Sequence, residues 1–411
     1  PGSSFTRILG GRIFVGLGLI SYSFYLWHFP IFAFSRIGGA FASNTEKIAI
    51  TAVALGVSIV SYYCIEKPAR NPNTIARRPF FIILFLVFTA LVSGGAVILK
   101  LDGIPGRLGV FSNLFAEAAI EKLTQGDRAC NRFSDEPCRF LMPEATSTLI
   151  SVGDSQAAAI SAQLLKSAAR NNANFVQLTQ AACLLIKGTT RFDDNRPHEK
   201  CLAATAFAND FLENSPPATI VYTGRFPLHI NGERFDNGEG GVESGPSPRL
   251  SANDATLAVT DVAQQMIRGW LAHGHTVVLV YPIPEVGWNL PKLVASKIPE
   301  LADDQLTRDF PLLRHLDITT SYRVFKAWAK PSVQMLDGVG ENSNLLRVYP
   351  AGIFCEDSTQ RCLTHDQEHF YYSDDNHLSA VGARLLVAEI EAVLGWKADS
   401  GEQPNAPQDS D

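Results

Sequence analysis

Charge is missing from three long stretches of this 411-residue chain. No Asp, Glu, Lys or Arg occurs in 48–65 or 79–99, and in 13–35 His28 is the single group able to carry a charge near neutral pH. A soluble helix of such length carries charges every three or four positions on its wet face, so a surface helix is excluded at all three places. At about 1.5 Å of rise per residue, about 18 or more apolar residues cover the hydrocarbon of a bilayer, and the stretches read as membrane spans. An excess of one sign of charge is also absent. The 35 basic and 41 acidic residues are interspersed and leave a formal net charge of -6, which argues against a nucleic-acid surface. There is no Cys-x-x-Cys, so zinc is the weaker reading of the cysteines and no metal is expected. No internal repeat is visible, which sets aside repeat architectures.

What is present orients the spans. Arg7 and Arg12 precede the first, and Lys67, Arg70, Arg77 and Arg78 lie between the second and third. Basic residues stay on the cytoplasmic side, so the third span leads outward and everything after Lys100 is extracytoplasmic. Cys64 lies within a span, whereas Cys130, Cys138, Cys183, Cys201, Cys355 and Cys362 all follow Lys100. An even number of cysteines there suits an oxidising compartment. Fifteen connectivities are open to six cysteines. Short intervening loops favour Cys130 with Cys138, Cys183 with Cys201, and Cys355 with Cys362. The expected organisation is spans within 1–100, a stapled linking region over 101–145, a folded domain over 146–398, and a disordered polar tail over 399–411. The chain opens at Pro1 without methionine or leader and runs almost at once into a span, so it reads as the C-terminal part of something longer.

From residue 147 onward the pattern alternates. Strands are predicted at 148–152, 175–179, 219–222, 276–281 and 332–336, and helices at 157–170, 204–212, 254–273, 321–329 and 379–394. A short helix over 114–123 and loop over 130–143 precede them, and 231–251 and 289–314 read as surface loops. Alternation of this kind predicts an α/β domain with a parallel sheet between two helical layers. Ligands in that architecture bind beyond the carboxyl ends of the strands.

The first predicted strand ends in Gly153-Asp154-Ser155 and is followed directly by an Ala-rich helix. Such a turn can project a serine oxygen from the sheet edge, while helix N-terminal amides face a developing anion. The plainer alternative is that Ser155 caps the helix. A serine nucleophile needs a base, and His377 ends Asp374-Asp375-Asn376-His377 just before Ser379, a good helix cap. Asp374, three residues earlier, is placed to hold the imidazole, with Asp375 as the alternative carboxylate. Asp366-Gln367-Glu368-His369 repeats the spacing but runs into Phe370-Tyr371-Tyr372 and not a capped helix. The expected catalytic set is therefore Ser155, Asp374 and His377.

These blocks resemble the first and last of the SGNH (GDSL-like) hydrolases. Separately, Ile20-Ser21-Tyr22-Ser23-Phe24-Tyr25-Leu26-Trp27-His28-Phe29-Pro30 and Ser61-Tyr62-Tyr63-Cys64-Ile65-Glu66-Lys67-Pro68-Ala69-Arg70 resemble the C-terminal helices of acyltransferase-3 membrane proteins. The combination implies a three-layer α/β/α SGNH domain fused to an acyltransferase-3 domain, as in bacterial O-acetyltransferases of lipopolysaccharide O-antigen or other envelope polysaccharides. It implies an inner-membrane protein with its SGNH domain in the periplasm, a polysaccharide acceptor, the bilayer and the rest of the membrane domain as partners, and no bound cofactor. The acetyl donor, acetyl-CoA by this resemblance, belongs to early membrane helices that this sequence does not contain. A carbohydrate acetylesterase with the same triad and a non-catalytic glycan-binding domain remain the alternatives.

Two departures from the SGNH pattern concern the oxyanion hole. The third block usually offers Asn, but here the 220–223 strand runs into Gly224-Arg225-Phe226, so Arg225 is the candidate donor, with a salt bridge or a contact to a substrate carboxylate as the equal alternative. The second usually offers a Gly amide, and Gln180-Ala181-Ala182-Cys183 has no glycine, leaving Ala182 or Cys183, with Gly188 as a further alternative. Ser155, Ala182 and Arg225 are the expected oxyanion set. His28, in its aromatic interfacial setting, reads as structural.

Overall fold

The computed structural model describes residues 10–37, 44–71, 77–101, 116, 118–131, 136–243, 245, 247–301, 313 and 316–397. The chain divides into two compact units, Pro1–Gly109 and Val110–Asp411. In the first, α1 (Arg12–Ile37), α2 (Asn44–Ser61) and α3 (Arg77–Lys100) are each long and apolar enough to cross a membrane. Their large apolar side chains, Phe29, Phe88 and Leu91 among them, stand exposed, as a surface meeting lipid tails requires. The segment 66–70, placed after the second span in the sequence, prolongs α2. A π-helical turn, Tyr62–Glu66, carries the helix on through Lys67–Arg70. That extension places Glu66 beside α1, where its carboxylate accepts from Ser23 Oγ at 2.8 Å and pairs with Arg70 at 2.6 Å. His28 Nδ1 bonds the Tyr25 carbonyl of its own helix at 2.7 Å.

The second unit is built on six strands: β1 (Cys138–Phe140), β2 (Ser147–Gly153), β3 (Ala173–Thr179), β4 (Thr219–Thr223), β5 (Thr276–Val280) and β6 (Leu345–Val348). Their order is β6-β5-β4-β2-β3-β1. All neighbours are parallel except β1, which runs antiparallel to β3 at the edge. Strands buried on both faces carry apolar residues toward each, and β2, Ser-Thr-Leu-Ile-Ser-Val-Gly, is buried from Leu149 to Gly153. Ile150 and Val152 face a core shared with α5 (Glu199–Asn214), α6 (Phe226–Asn231), α7 (Val259–Ala272) and α9 (Tyr322–Asp337). Leu149 faces the opposite core, shared with α4 (Ser155–Arg170), α8 (Leu290–Leu301) and α10 (Ala380–Leu394). The result is a three-layer α/β/α domain.

Several expectations fail here for identifiable reasons. The stretch 332–336 is the end of α9, not a strand. Phe325, Ala329, Ser332 and Met335 recur on one buried helical face, and the helix continues past Pro331. The last parallel strand is β6, whose four residues make a weak sequence signal. The loop expected over 130–143 contains β1, and 289–314 contains α8, where Leu290 and Val294, one turn apart, are fully buried. The loop over 231–251 runs into a strand, Arg249–Ala252, of a small sheet. Of the helix expected over 114–123, the described part from 118 is turn and irregular chain leading into the two-residue ladder of Thr124–Gln125 with Arg128–Ala129. The 399–411 tail lies outside the described residues. Cys130–Cys138, Cys183–Cys201 and Cys355–Cys362 are disulfide-bonded, and Cys64 is free.

Candidate active site

Ser155 is the first residue of α4, at the carboxyl end of central strand β2. The turn that puts it there depends on Gly153, whose φ of +143° L side chains rarely adopt and whose added Cβ would lie 1.7 Å from the Thr223 carbonyl oxygen. Asp154 caps the helix, Oδ1 accepting from the Gln156 amide at 2.8 Å, so Ser155 is not the cap. Asp154 Oδ2 accepts from the Arg225 amide at 2.8 Å, tying the turn to the end of β4. Burial raises the Asp154 carboxyl above its ordinary range, against the pull of those two amides. Because the first amides of a helix lack intrahelical partners, the Ser155 N–H is available to an anion.

The second half of the site precedes α10. Asp374 Oδ1 accepts from the amides of Asn376 at 3.0 Å and His377 at 2.8 Å, a side-chain turn that brings carboxylate and imidazole together. Asp374 Oδ2 meets His377 Nδ1 at 2.8 Å, and His377 Nε2 meets Ser155 Oγ at 2.8 Å. An ionised carboxylate only accepts, so Nδ1 carries the proton of the neutral ring and the Nε2 lone pair faces the serine hydroxyl. Burial works against the charged form of His377, but hydrogen bonding to Asp374 and its negative charge outweigh it and raise the pKa above the ordinary imidazole value. Burial likewise works against ionised Asp374, yet the bond from His377 holds its carboxyl down at about 2.

Three contacts fix this segment. The Asp375 carbonyl accepts from the Val286 and Gly287 amides at 2.9 and 3.0 Å. Gln156 Nε2 donates to the Asn376 carbonyl at 3.2 Å, linking helix start to loop. Ser379 caps α10, accepting from the Gly382 amide, and its hydroxyl donates to the Phe370 carbonyl. The rival pair, Asp366 and His369, forms a similar turn 3.4 Å apart on the surface, and His377 takes the place at Ser155.

The oxyanion expectation needs correction at Arg225. Its amide is spent on Asp154. Its guanidinium is clasped by Glu285, through Nε at 2.7 Å and Nη2, and by Glu243, at 3.0 and 2.6 Å. A charge held by one buried and one half-buried carboxylate anchors the fold and is not free for a transient anion. Glu285 is fully buried, and desolvation pushes its carboxyl up to about 7 despite Arg225. Among the second-block candidates, the Cys183 amide donates to the Gln180 carbonyl. Ala182 holds φ at +60°, the left-handed region a glycine enters freely. Close behind the nucleophile turn, His229 Nε2 lies 3.8 Å from Asp154 Oδ2. Burial and the nearby arginines lower its pKa to about 3, so the ring is neutral and this is not an ion pair.

A cavity of about 200 Å³ opens at Ser155, and Asp374, His377, Gln177, Lys122 and Asn131 line it. The last three were not singled out from sequence. Only Gln177, a polar residue amid the apolar Phe-Val-Gln-Leu of β3, left a readable signal. Cys183, Cys201 and His198 cluster closely enough to hold a metal, but both cysteines are joined to each other.

The family described as SGNH domain (fused to AT3 domains) matches residues 123–392. No curated protein matches the chain. A solved structure, the periplasmic domain of a lipopolysaccharide acetyltransferase from Salmonella ser. Paratyphi A, is similar at 14% identity over 71% of this chain and 97% of that one, with a TM-score of 0.42.

Proposed function

We propose, from the premise that this chain belongs to the family of SGNH domains fused to AT3 domains, that it is an O-acetyltransferase acting on an envelope polysaccharide such as lipopolysaccharide O-antigen. The observation that carries the reading is the pair of 2.8 Å hydrogen bonds joining Ser155, His377 and Asp374 at the carboxyl end of the sheet. Ser155 Oγ attacks the acetyl carbonyl carbon while His377 Nε2 takes its proton and Asp374 steadies the imidazolium. The Ser155 amide and the Ala182 amide face the oxyanion. Collapse expels the donor's leaving group, which takes the proton back from His377. A sugar hydroxyl then attacks the acetyl-serine, giving its proton to His377, and Ser155 leaves as the restored alcohol. The three apolar helices hold this unit at the inner membrane with the SGNH domain in the periplasm, and the acetyl group reaches it from acetyl-CoA through the AT3 partner.

The test is transfer of acetyl from 4-nitrophenyl acetate to an oligosaccharide by the full chain, beside phosphonate labelling of Ser155. Ser155→Ala is expected to lose both while keeping the wild-type thermal transition. Acetylation that survives in the folded Ser155→Ala chain would sink the serine route, and release to water with no transfer in the wild type would leave an acetylesterase.

A further inference from the structure

We infer that Lys122 and Asn131 of the segment ahead of the sheet, together with Gln177, form an acceptor-sugar subsite beside Ser155, an inference that rests on the acyl-transfer reading. Gln177 sits within β3, 3% exposed. Its Nε2 donates to Thr179 Oγ1 at 2.7 Å, but its Oε1 is buried without a partner. A buried acceptor left without a donor is unfavourable, and the residue that carries it is among those lining the cavity at Ser155 and His377. A sugar hydroxyl that displaced the Gln177 side chain enough to reach this oxygen would supply the missing donor.

The other two residues supply the complement. Lys122 brings three donors and no acceptor, Asn131 an amide that does both, and Gln177 Oε1 an acceptor alone. A polyol, whose every hydroxyl oxygen donates and accepts, satisfies all three at once. At about 200 Å³ the cavity is smaller than sites that enclose a drug-sized ligand, so it takes the reacting edge of one sugar ring and leaves the rest of a polymer outside. The wall is also fixed in place. The Cys130–Cys138 disulfide fastens it to β1, the Cys130 amide donates to the Leu123 carbonyl at 3.0 Å, and Glu121 accepts from Gln163 and Lys166 of α4 at 2.9 and 2.7 Å. The helix that bears the nucleophile thus also holds the residue next to Lys122.

The experiment compares kcat/KM of the full chain in detergent on a panel of mono-O-acetyl hexosides with kcat/KM on 4-nitrophenyl acetate. An acetylated sugar departs through the subsite by which an acceptor sugar enters, so it reads the subsite directly. The wild type is expected to favour at least one sugar ester, and Lys122→Met and Asn131→Ala each to cut the sugar-to-aryl ratio about 2- to 10-fold, the worth of one hydrogen bond. Gln177→Leu is expected to act in the same direction; if it fails to fold, the two wall variants decide. A wild type without preference for any sugar ester, or wall variants with the wild-type ratio, overturns the subsite. Hydrolysis of both esters by Ser155→Ala would instead remove the acyl-transfer reading, and the subsite with it.

Discussion

At the scale of single residues, the site's pH behaviour follows from one bond. His377 acts as a base only when neutral, and Asp374 raises its pKa, so turnover falls as pH drops through a value above the ordinary imidazole pKa of about 6.5. Asp374→Asn keeps the size but removes the charge that sustains the shift. The acid limb of kcat/KM is then expected to move to lower pH and the plateau to fall on the order of 10²- to 10⁴-fold; an unmoved limb would show that another group titrates. Arg225 makes a different kind of prediction. Removing one partner of a buried ion pair costs about 3–5 kcal/mol, and Arg225→Met leaves Glu285 buried without its cation. A loss of that order is expected in urea denaturation, with part regained when Glu285→Gln is added. A merely catalytic Arg225 predicts lost activity at unchanged stability. The serine, histidine and aspartate were legible in sequence because each lies within a few residues of a strand end or a helix cap. The carboxylates around Arg225 were not, since Glu243 and Glu285 come from separate loops with no spacing in common.

At the scale of elements, two joints decide the geometry. The β2–α4 turn requires Gly153, and Gly153→Ala drives a methyl into the Thr223 carbonyl oxygen. A stability loss of at least about 1–3 kcal/mol is expected by calorimetry, together with weakened phosphonate labelling of Ser155. The second joint is the Cys130–Cys138 disulfide, which closes a short loop between the cavity wall and the edge strand. By chain entropy such a loop contributes about 2–3 kcal/mol. Cys130→Ser/Cys138→Ser is expected to lower Tm, and to weaken turnover of sugar esters more than of aryl acetate, since the wall that loosens carries Lys122 and Asn131. Equal losses on both substrates would place the effect in general stability. Four buried parallel strands announced themselves as apolar runs ahead of helices. β1 and β6 did not, because three or four residues at a sheet edge carry too short a pattern, and the periodicity of 332–336 belonged to a helix begun ten residues earlier.

At the scale of the whole molecule, charge and disulfides bear on the same topology from independent sides. Lys67, Arg70 and Arg78 lie near the membrane ends of the second and third spans, where basic residues resist translocation. By that rule the third span is expected to carry the chain beyond Lys100 to the opposite face, and the three disulfides all lie in that part of the chain. Disulfides persist outside the reducing cytoplasm, so a reversed orientation would conflict with both. Alkaline phosphatase, active only in an oxidising compartment, reads the outcome directly. A fusion after Asn71 is expected to be inactive and one after Leu101 active. Replacing Lys67, Arg70, Arg77 and Arg78 with Gln is expected to lower activity of the second fusion, and replacing Lys67 and Arg70, the two that precede Asn71, to raise that of the first, because the positive charge that holds the connection inside is gone. An active Asn71 fusion in the unaltered chain would invert the topology and place Ser155 on the cytoplasmic face, away from any exported polysaccharide.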